Sequence, residues 1–180
     1  MIVIGFCGLP GSGKSTVLKA IEALGSIITM GDVIRKEARE RNIEPTDENL
    51  GKIAQQLREE FGPEIIAEKC VALIKNLESK VIFIDGLRSF AEVKTFRNSW
   101  KFPIVAVIID DIIRIERLSS RGRPDDPKTL EEQTERDQRE IAFGLNDVID
   151  SANYKINNNV TKKEVQKITR ELILDIIKNY

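Results

Sequence analysis

Short apolar runs alternate along the chain with longer stretches whose apolar residues recur every three or four positions. The runs at 2–7, 27–29, 81–84 and 104–109 read as fully buried strands, and 154–156 reads as a weaker fifth. The first two each lead into a helical pattern. Residues 13–24 place Val17, Leu18, Ile21 and Leu24 on one face, and 33–41 follow Asp32, which stands where a helix cap would. The stretch 47–77 is helical but broken at Phe61-Gly62-Pro63, where the proline suits the start of a new helix. Two charged helical pieces, 114–121 and 130–142, flank the turn-rich joint Gly122-Arg123-Pro124-Asp125-Asp126-Pro127. Residues 162–178 close the chain as an amphipathic helix. Strands alternating with helices predict an α/β fold of three layers around a central five-stranded parallel sheet, with two helical excursions.

Composition narrows the chemistry. With 180 residues, 41% hydrophobic and 32% charged, the chain suits one soluble globular domain that buries a core without disulfides. A net charge of −1 supplies no global basic field, so nucleic acid is not an expected partner. Cys7 and Cys70 are the only cysteines and there is no histidine. That leaves no zinc cluster and neither the Ser-His nor the Cys-His route to nucleophilic catalysis. Two lone cysteines without a signal-peptide pattern fit a reducing cytoplasm. The apolar opening run is too short for a membrane span, so no membrane partner is expected.

Gly8-Leu9-Pro10-Gly11-Ser12-Gly13-Lys14-Ser15 fits the phosphate-loop pattern G-x-x-x-x-G-K-[ST], between an apolar strand and a helical pattern that runs on through Thr16. The residue types follow from the task. Gly8, Gly11 and Gly13 let the backbone turn back and aim successive N–H groups at phosphate oxygens, and the helix start adds its positive dipole end. Lys14 reaches the β- and γ-phosphates, and the Ser15 hydroxyl ligates Mg²⁺. A cation at a helix N-terminus is disfavoured unless an anion sits beside it, which argues against an idle glycine turn. The glycine spacing is not that of a dinucleotide fold. ATP with Mg²⁺ is therefore the expected cofactor. Asp85 ends the buried run 81–84, where an unpaired charge would be costly, and is placed to hold a magnesium-bound water.

With these segments in place the chain resembles the adenylate-kinase-type nucleoside monophosphate kinases. More closely, it resembles the small archaeal adenylate-kinase-related P-loop ATPases. The resemblance implies a P-loop NTPase core over about 1–31, 78–112 and 150–180. It implies a helical acceptor-binding region over about 32–77 and a short helical lid over about 113–145. In Met30-Gly31-Asp32-Val33-Ile34-Arg35, Arg35 matches the family arginine that holds the acceptor phosphate, although Met30 replaces the usual threonine. Asp32 matches an aspartate near the magnesium water shell; its alternative is the helix cap. In Asp85-Gly86-Leu87-Arg88, Arg88 resembles the second acceptor-phosphate arginine, in a loop one residue shorter than usual and lacking the family's proline.

The lid that the resemblance implies brings Arg117, Arg121, Arg123, Arg136 and Arg139 to the phosphoryl group in flight, with Gly122 and the flanking prolines at its hinge. A solvated charged face is the alternative, since Glu132–Arg136 and Glu135–Arg139 have ordinary i,i+4 spacing. Glu92 stands where adenylate kinases usually carry a glutamine that reads adenine. A carboxylate only accepts hydrogen bonds, so it suits an exocyclic amine and meets the N1 of adenine unfavourably. It reads equally as a surface residue on a helix Phe90–Arg97. Asn157, Asn158 and Asn159 lie near the family's donor-base wall or form a turn. The resemblance thus implies transfer of the ATP γ-phosphoryl group to a nucleoside monophosphate such as AMP. A dephospho-coenzyme A-like small-metabolite kinase and a nucleotide-binding regulator or slow ATPase are the alternatives.

Overall fold

The computed structural model of the chain describes residues 1–121 and 129–180. Five strands form one parallel sheet: β1 (Ile2–Cys7), β2 (Ser26–Thr29), β3 (Val81–Asp85), β4 (Ile104–Ile108) and β5 (Tyr154–Asn157), in the order β2-β3-β1-β4-β5. β1 lies at the centre, pairing Ile2 with Val81 on one side and Gly5 with Ile104 on the other. The period of two along each strand divides the core. Val3, Cys7, Ile82, Ile84, Ile104 and Ala106 face one layer of helices, while Ile4, Phe6, Phe83, Val105 and Val107 face the other. The continuous apolar runs read from the sequence are thus strands buried on both faces.

On the first face pack α2 (Met30–Glu40), α3 (Asp47–Phe61), α4 (Ile65–Ile74), α5 (Phe90–Arg97) and α8 (Leu145–Asp150). On the second pack α1 (Lys14–Ile21), which runs into a 3₁₀ turn at Glu22–Leu24, and α9 (Lys162–Asn179). The charged helices α6 (Asp111–Arg121) and α7 (Leu130–Ala142) lie between β4 and α8 in the chain. Phe96 and Phe102 stack at 4.8 Å in the first core, and Phe6 meets Phe83 edge-on at 6.0 Å in the second.

Three expectations are corrected. Asp32 is not the cap of α2: the helix starts at Met30 after Thr29, so Asp32 falls inside its first turn. Pro63 does not open α4, which begins at Ile65 after a turn. α6 begins at Asp111, three residues before the predicted start. The six residues of α8 form a helix too short to show a 3.6 period in sequence. The joint at 122–127 lies outside the described residues.

Because every strand points the same way, the segments after β1, β2, β3, β4 and β5 all emerge on one edge. The strand order reverses direction at β1, and that is where an open α/β sheet has its crevice.

Candidate functional site

The loop after β1 turns into α1 at Gly13, which has φ 94°, in the left-handed region that favours glycine. A Cβ there would stand 2.0 Å from Asn158 Nδ2. No side chain caps α1, so its first N–H groups are left for a ligand. The Lys14 ammonium folds back and donates to the carbonyls of Gly8 and Leu9. Burial pushes its pKa down, and the carboxylates of Asp85 and Glu140 only partly oppose this.

Two side chains brace the loop from behind. Asn158 donates from Nδ2 to the Ser12 carbonyl at 2.8 Å, and Arg114 donates to the Pro10 carbonyl at 3.0 Å. Arg114 is itself buried and paired with Asp137 at 2.7 Å and Asp111 at 3.0 Å. The sequence alone, with Arg114, Arg117 and Arg121 at spacings of three and four, puts all three on one helical face. What it did not reveal is that Arg114 reaches the loop's Pro10 carbonyl.

A cleft of about 880 Å³ opens along the sheet edge. Gly8, Pro10, Gly11, Gly13, Lys14, Ser15 and Thr16 form its floor. Gly31, Asp32 and Arg35 of α2, with Asp85, Gly86 and Arg88 after β3, form the wall on one side. Arg117 of α6 and Arg136 of α7 line it as well. Leu9 and Ser12 do not line it: Leu9 packs on the core, and the Ser12 side chain is buried. Arg139 does not line this cleft but a smaller pocket of about 40 Å³ beside it, which shares Arg35, Arg88, Arg136 and Glu140 with it. The side chain of Arg121 and all of Arg123 lie outside the described residues.

Carboxylates answer these arginines, some within one helix and some across elements. Asp32 meets Arg35 at 2.9 Å, Glu140 meets Arg88 at 3.1 Å and Arg136 at 3.6 Å, and Asp47 meets Arg136 at 3.2 Å and Arg139 at 2.6 Å. Burial pushes the Glu140 carboxyl up, but Arg88, Arg136, Lys14 and Arg139 together more than reverse it, leaving its pKa below the ordinary 4.5. Native Glu140 therefore contributes stability that is present above pH 4.5 and lost as pH falls through its lowered native value. The melting temperature of wild type is expected to exceed that of Glu140→Gln by a margin that shrinks below pH 4.5. A margin independent of pH would contradict this.

Glu92 is elsewhere. It is neither on the surface nor in the cleft: with 0% exposure it lies beneath Arg88. One carboxylate oxygen accepts from Arg58 at 2.8 Å, and the other from the backbone N–H groups of Arg88 at 2.7 Å and Ser89 at 3.3 Å. The last of these completes a capping box with Ser89. Its lone pairs are taken up within the fold, so it is not placed to read a base. The sequence did carry the signal, since Ser89-x-x-Glu92 before an apolar face is a capping pattern.

The donor set also fits a magnesium ion. Ser15 and Asp85, a hydroxyl and a carboxylate, line the same cleft. No group of three or more His, Cys, Asp or Glu residues able to hold a metal exists among the described residues. Mg²⁺ suits such a sparse set, since it keeps waters and takes one or two protein oxygens plus phosphate. Cys7 and Cys70 are buried free thiols pushed up to about 12, inert at neutral pH. No helix among the described residues is long and apolar enough to cross a membrane.

Comparison with known proteins gives the family and the fold. The family model for the AAA domain matches residues 4–142. The UPF0200 protein of Hyperthermus butylicus is 40% identical over 173 residues, covering 96% of this chain and 93% of its own. The UPF0200 protein of Thermococcus onnurineus is 42% identical over 183 residues, covering 98% of both chains. Among solved structures, shikimate kinase from Acinetobacter baumannii in complex with shikimate superposes with a TM-score of 0.60 at 13% identity, covering 99% of this chain and 94% of that one. At that identity the likeness concerns the fold, which is that of the P-loop kinases.

Proposed function

The chain belongs to the UPF0200 family and carries an AAA-type P-loop domain, and on that premise we propose that it is an ATP-dependent phosphotransferase acting on a nucleoside monophosphate. One observation carries the reading. The cleft does not stop at the phosphate loop but continues to a second cationic wall formed by Arg35 and Arg88. ATP alone needs the loop; a second wall of guanidinium groups suits a second phosphate.

In this reading the loop amides and Lys14 hold the β- and γ-phosphates of ATP, and Arg35 and Arg88 hold the acceptor phosphate. Held by Ser15 and through water by Asp85, Mg²⁺ would neutralise charge on the β- and γ-oxygens. An acceptor phosphate oxygen bonds to the γ-phosphorus as the bond to the β-γ bridging oxygen breaks, and ADP leaves. No side-chain base is required, because the acceptor phosphate is already ionised, which suits a chain without histidine. Arg117 and Arg136, which line the cleft, screen the charge of the transferring group. Excluding water keeps it from acting as the acceptor.

Two observations keep other readings in play. Arg35 and Arg88 each face a carboxylate of the chain, as a nucleotide-binding regulator or slow ATPase would allow. Glu92 is withdrawn from the cleft, leaving the acceptor base without the reader the sequence suggested, as a dephospho-coenzyme A-like kinase would allow. An ADP-release assay with Mg-ATP and AMP, CMP, UMP, GMP or dephospho-coenzyme A, added singly, separates the three. Stimulation by one monophosphate is expected; stimulation by dephospho-coenzyme A alone, or by none, would overturn the proposal.

Arg88→Ala is expected to weaken acceptor binding about tenfold to a hundredfold, the worth of one charge-assisted hydrogen-bonding group of about 1.5–3 kcal/mol. Mg-ATP binding should change less. Calorimetric titration of both ligands decides it, and a larger loss on the ATP side would put Arg88 on the donor.

A further inference from the structure

Three residues on one face of α7 make cross-element contacts that the phosphotransfer reading has not used. Arg136, Arg139 and Glu140 are spaced at three and four, so they point the same way. As a helix device this arrangement is poor. A carboxylate in the last turn opposes the macrodipole, and an arginine four residues before a glutamate is the weaker orientation of an i,i+4 pair. Burying the carboxylate adds a desolvation penalty unless partners surround it. Glu140 is 6% exposed and lines the main cleft. The compensating contact is therefore the tertiary one, with Arg88 from the loop after β3, and Arg136 of its own helix stands beside it.

Behind it, α3 offers a seat for the other end of the same face. Asp47, in the first turn of α3, takes Arg136 at 3.2 Å and Arg139 at 2.6 Å. One turn on, Gly51 lets the Arg139 guanidinium lie against the α3 backbone, where a Cβ would stand 2.8 Å from its Cζ. Glycine inside a helix is unfavourable by about 1 kcal/mol relative to alanine. The close approach of Arg139 gives this one a packing reason.

We propose that Glu140 is a positioning residue of the cleft: its carboxylate draws Arg88 and Arg136, from two different elements, onto one wall, and the Asp47–Gly51 seat of α3 clamps α7 in that register through Arg139. The inference rests on the phosphotransfer reading for its effect on turnover, but not for its effect on the arginines themselves. Two guanidinium groups brought to one phosphoryl site repel each other, and a fixed carboxylate between them removes that obstacle before substrate arrives. Arg139 on this account serves α3 instead of the phosphates.

The test uses the full chain with Glu140→Gln and, in case that variant fails to fold, Glu140→Asp. Without nucleotide, each protein is exposed to phenylglyoxal, a guanidinium-reactive dicarbonyl, and the modified arginines are mapped by peptide mass. Arg88 and Arg136 are expected to react several-fold faster in Glu140→Gln and at an intermediate rate in Glu140→Asp. Wild-type reactivity at both arginines in either folded variant would overturn the proposal. In parallel, kcat of Glu140→Gln with the stimulating acceptor should fall about tenfold to a hundredfold, the usual penalty for misplacing a catalytic group by about an ångström. Affinity for Mg-ATP should be no weaker than wild type. A merely structural role would lower the melting temperature and leave kcat of the folded protein unchanged. Should wild type itself transfer no phosphate to any acceptor, the phosphotransfer reading fails, and the arginine map still decides whether Glu140 positions Arg88 and Arg136.

Discussion

Lys14→Ala is expected to fold at the wild-type temperature or slightly above it, and to lose affinity for Mg-ATP by about a hundredfold or more. Both halves follow from where the ammonium sits. In the ligand-free chain it is satisfied by the carbonyls of Gly8 and Leu9, so it closes the loop on itself. Burial holds its pKa below the ordinary 10.5, which means the charged form opposes folding at neutral pH. Its removal relieves that penalty. Triphosphate reverses the balance, because the buried cation then meets an anion, and truncating one partner of such a pair costs about 2–5 kcal/mol. Calorimetric titration measures the affinity. A melt with Mg-ATP provides a second reading, since ligand raises the melting temperature only where it binds the native state. Unchanged affinity would remove the loop from the site.

Glu92→Gln should unfold earlier by about 3–5 kcal/mol, the range for breaking a buried ion pair by removing one partner. Arg58 is only 9% exposed in its side chain, and its guanidinium lies 4.2 Å from the centre of the Phe143 ring, with Glu92 as its ionic partner among the described residues. The amide keeps one acceptor oxygen but turns two donors toward Arg58 or toward the N–H groups of Arg88 and Ser89, whose bonds need acceptors. At about 2–4 °C per kcal/mol for a chain of this size, the melting temperature should fall by roughly 6–20 °C. Acceptor preference should not change in the protein that remains folded. A stable Glu92→Gln with altered base preference would return Glu92 to the role its sequence position first suggested.

The fold was legible because buried parallel strands leave unmistakable runs. In 2–7 and 81–84 nothing but apolar residues and one glycine interrupts the pattern, and both became central strands. The ends were harder. Asp32 looked like a cap, but the backbone became helical two residues earlier without any side-chain cap at Thr29, something no sequence pattern marks. In the site, the loop was legible because its chemistry is local: glycine, lysine and serine at fixed spacing. Residues whose meaning depends on distant partners were not. Arg114 holds Pro10 from 104 residues away, Asn158 holds Ser12 from 146 away, and Asp47 gathers two arginines from α7. Each is polar on a helix or at a strand end, which in sequence resembles an ordinary solvated position. Glu92 misled for the opposite reason. Its position suits a base reader and a surface residue equally, and neither is what the local capping box written in the chain makes of it.

Transfer of the γ-phosphate tests the central claim most directly. Mg-ATP labelled at the γ-position would be incubated with the protein and each nucleoside monophosphate, with Lys14→Ala as the blank, and the labelled products separated. The account predicts that label appears in one nucleoside diphosphate, at a rate that depends on the acceptor and vanishes in the blank. Label found only in inorganic phosphate, at a rate no acceptor changes, would contradict it and leave a slow ATPase in its place.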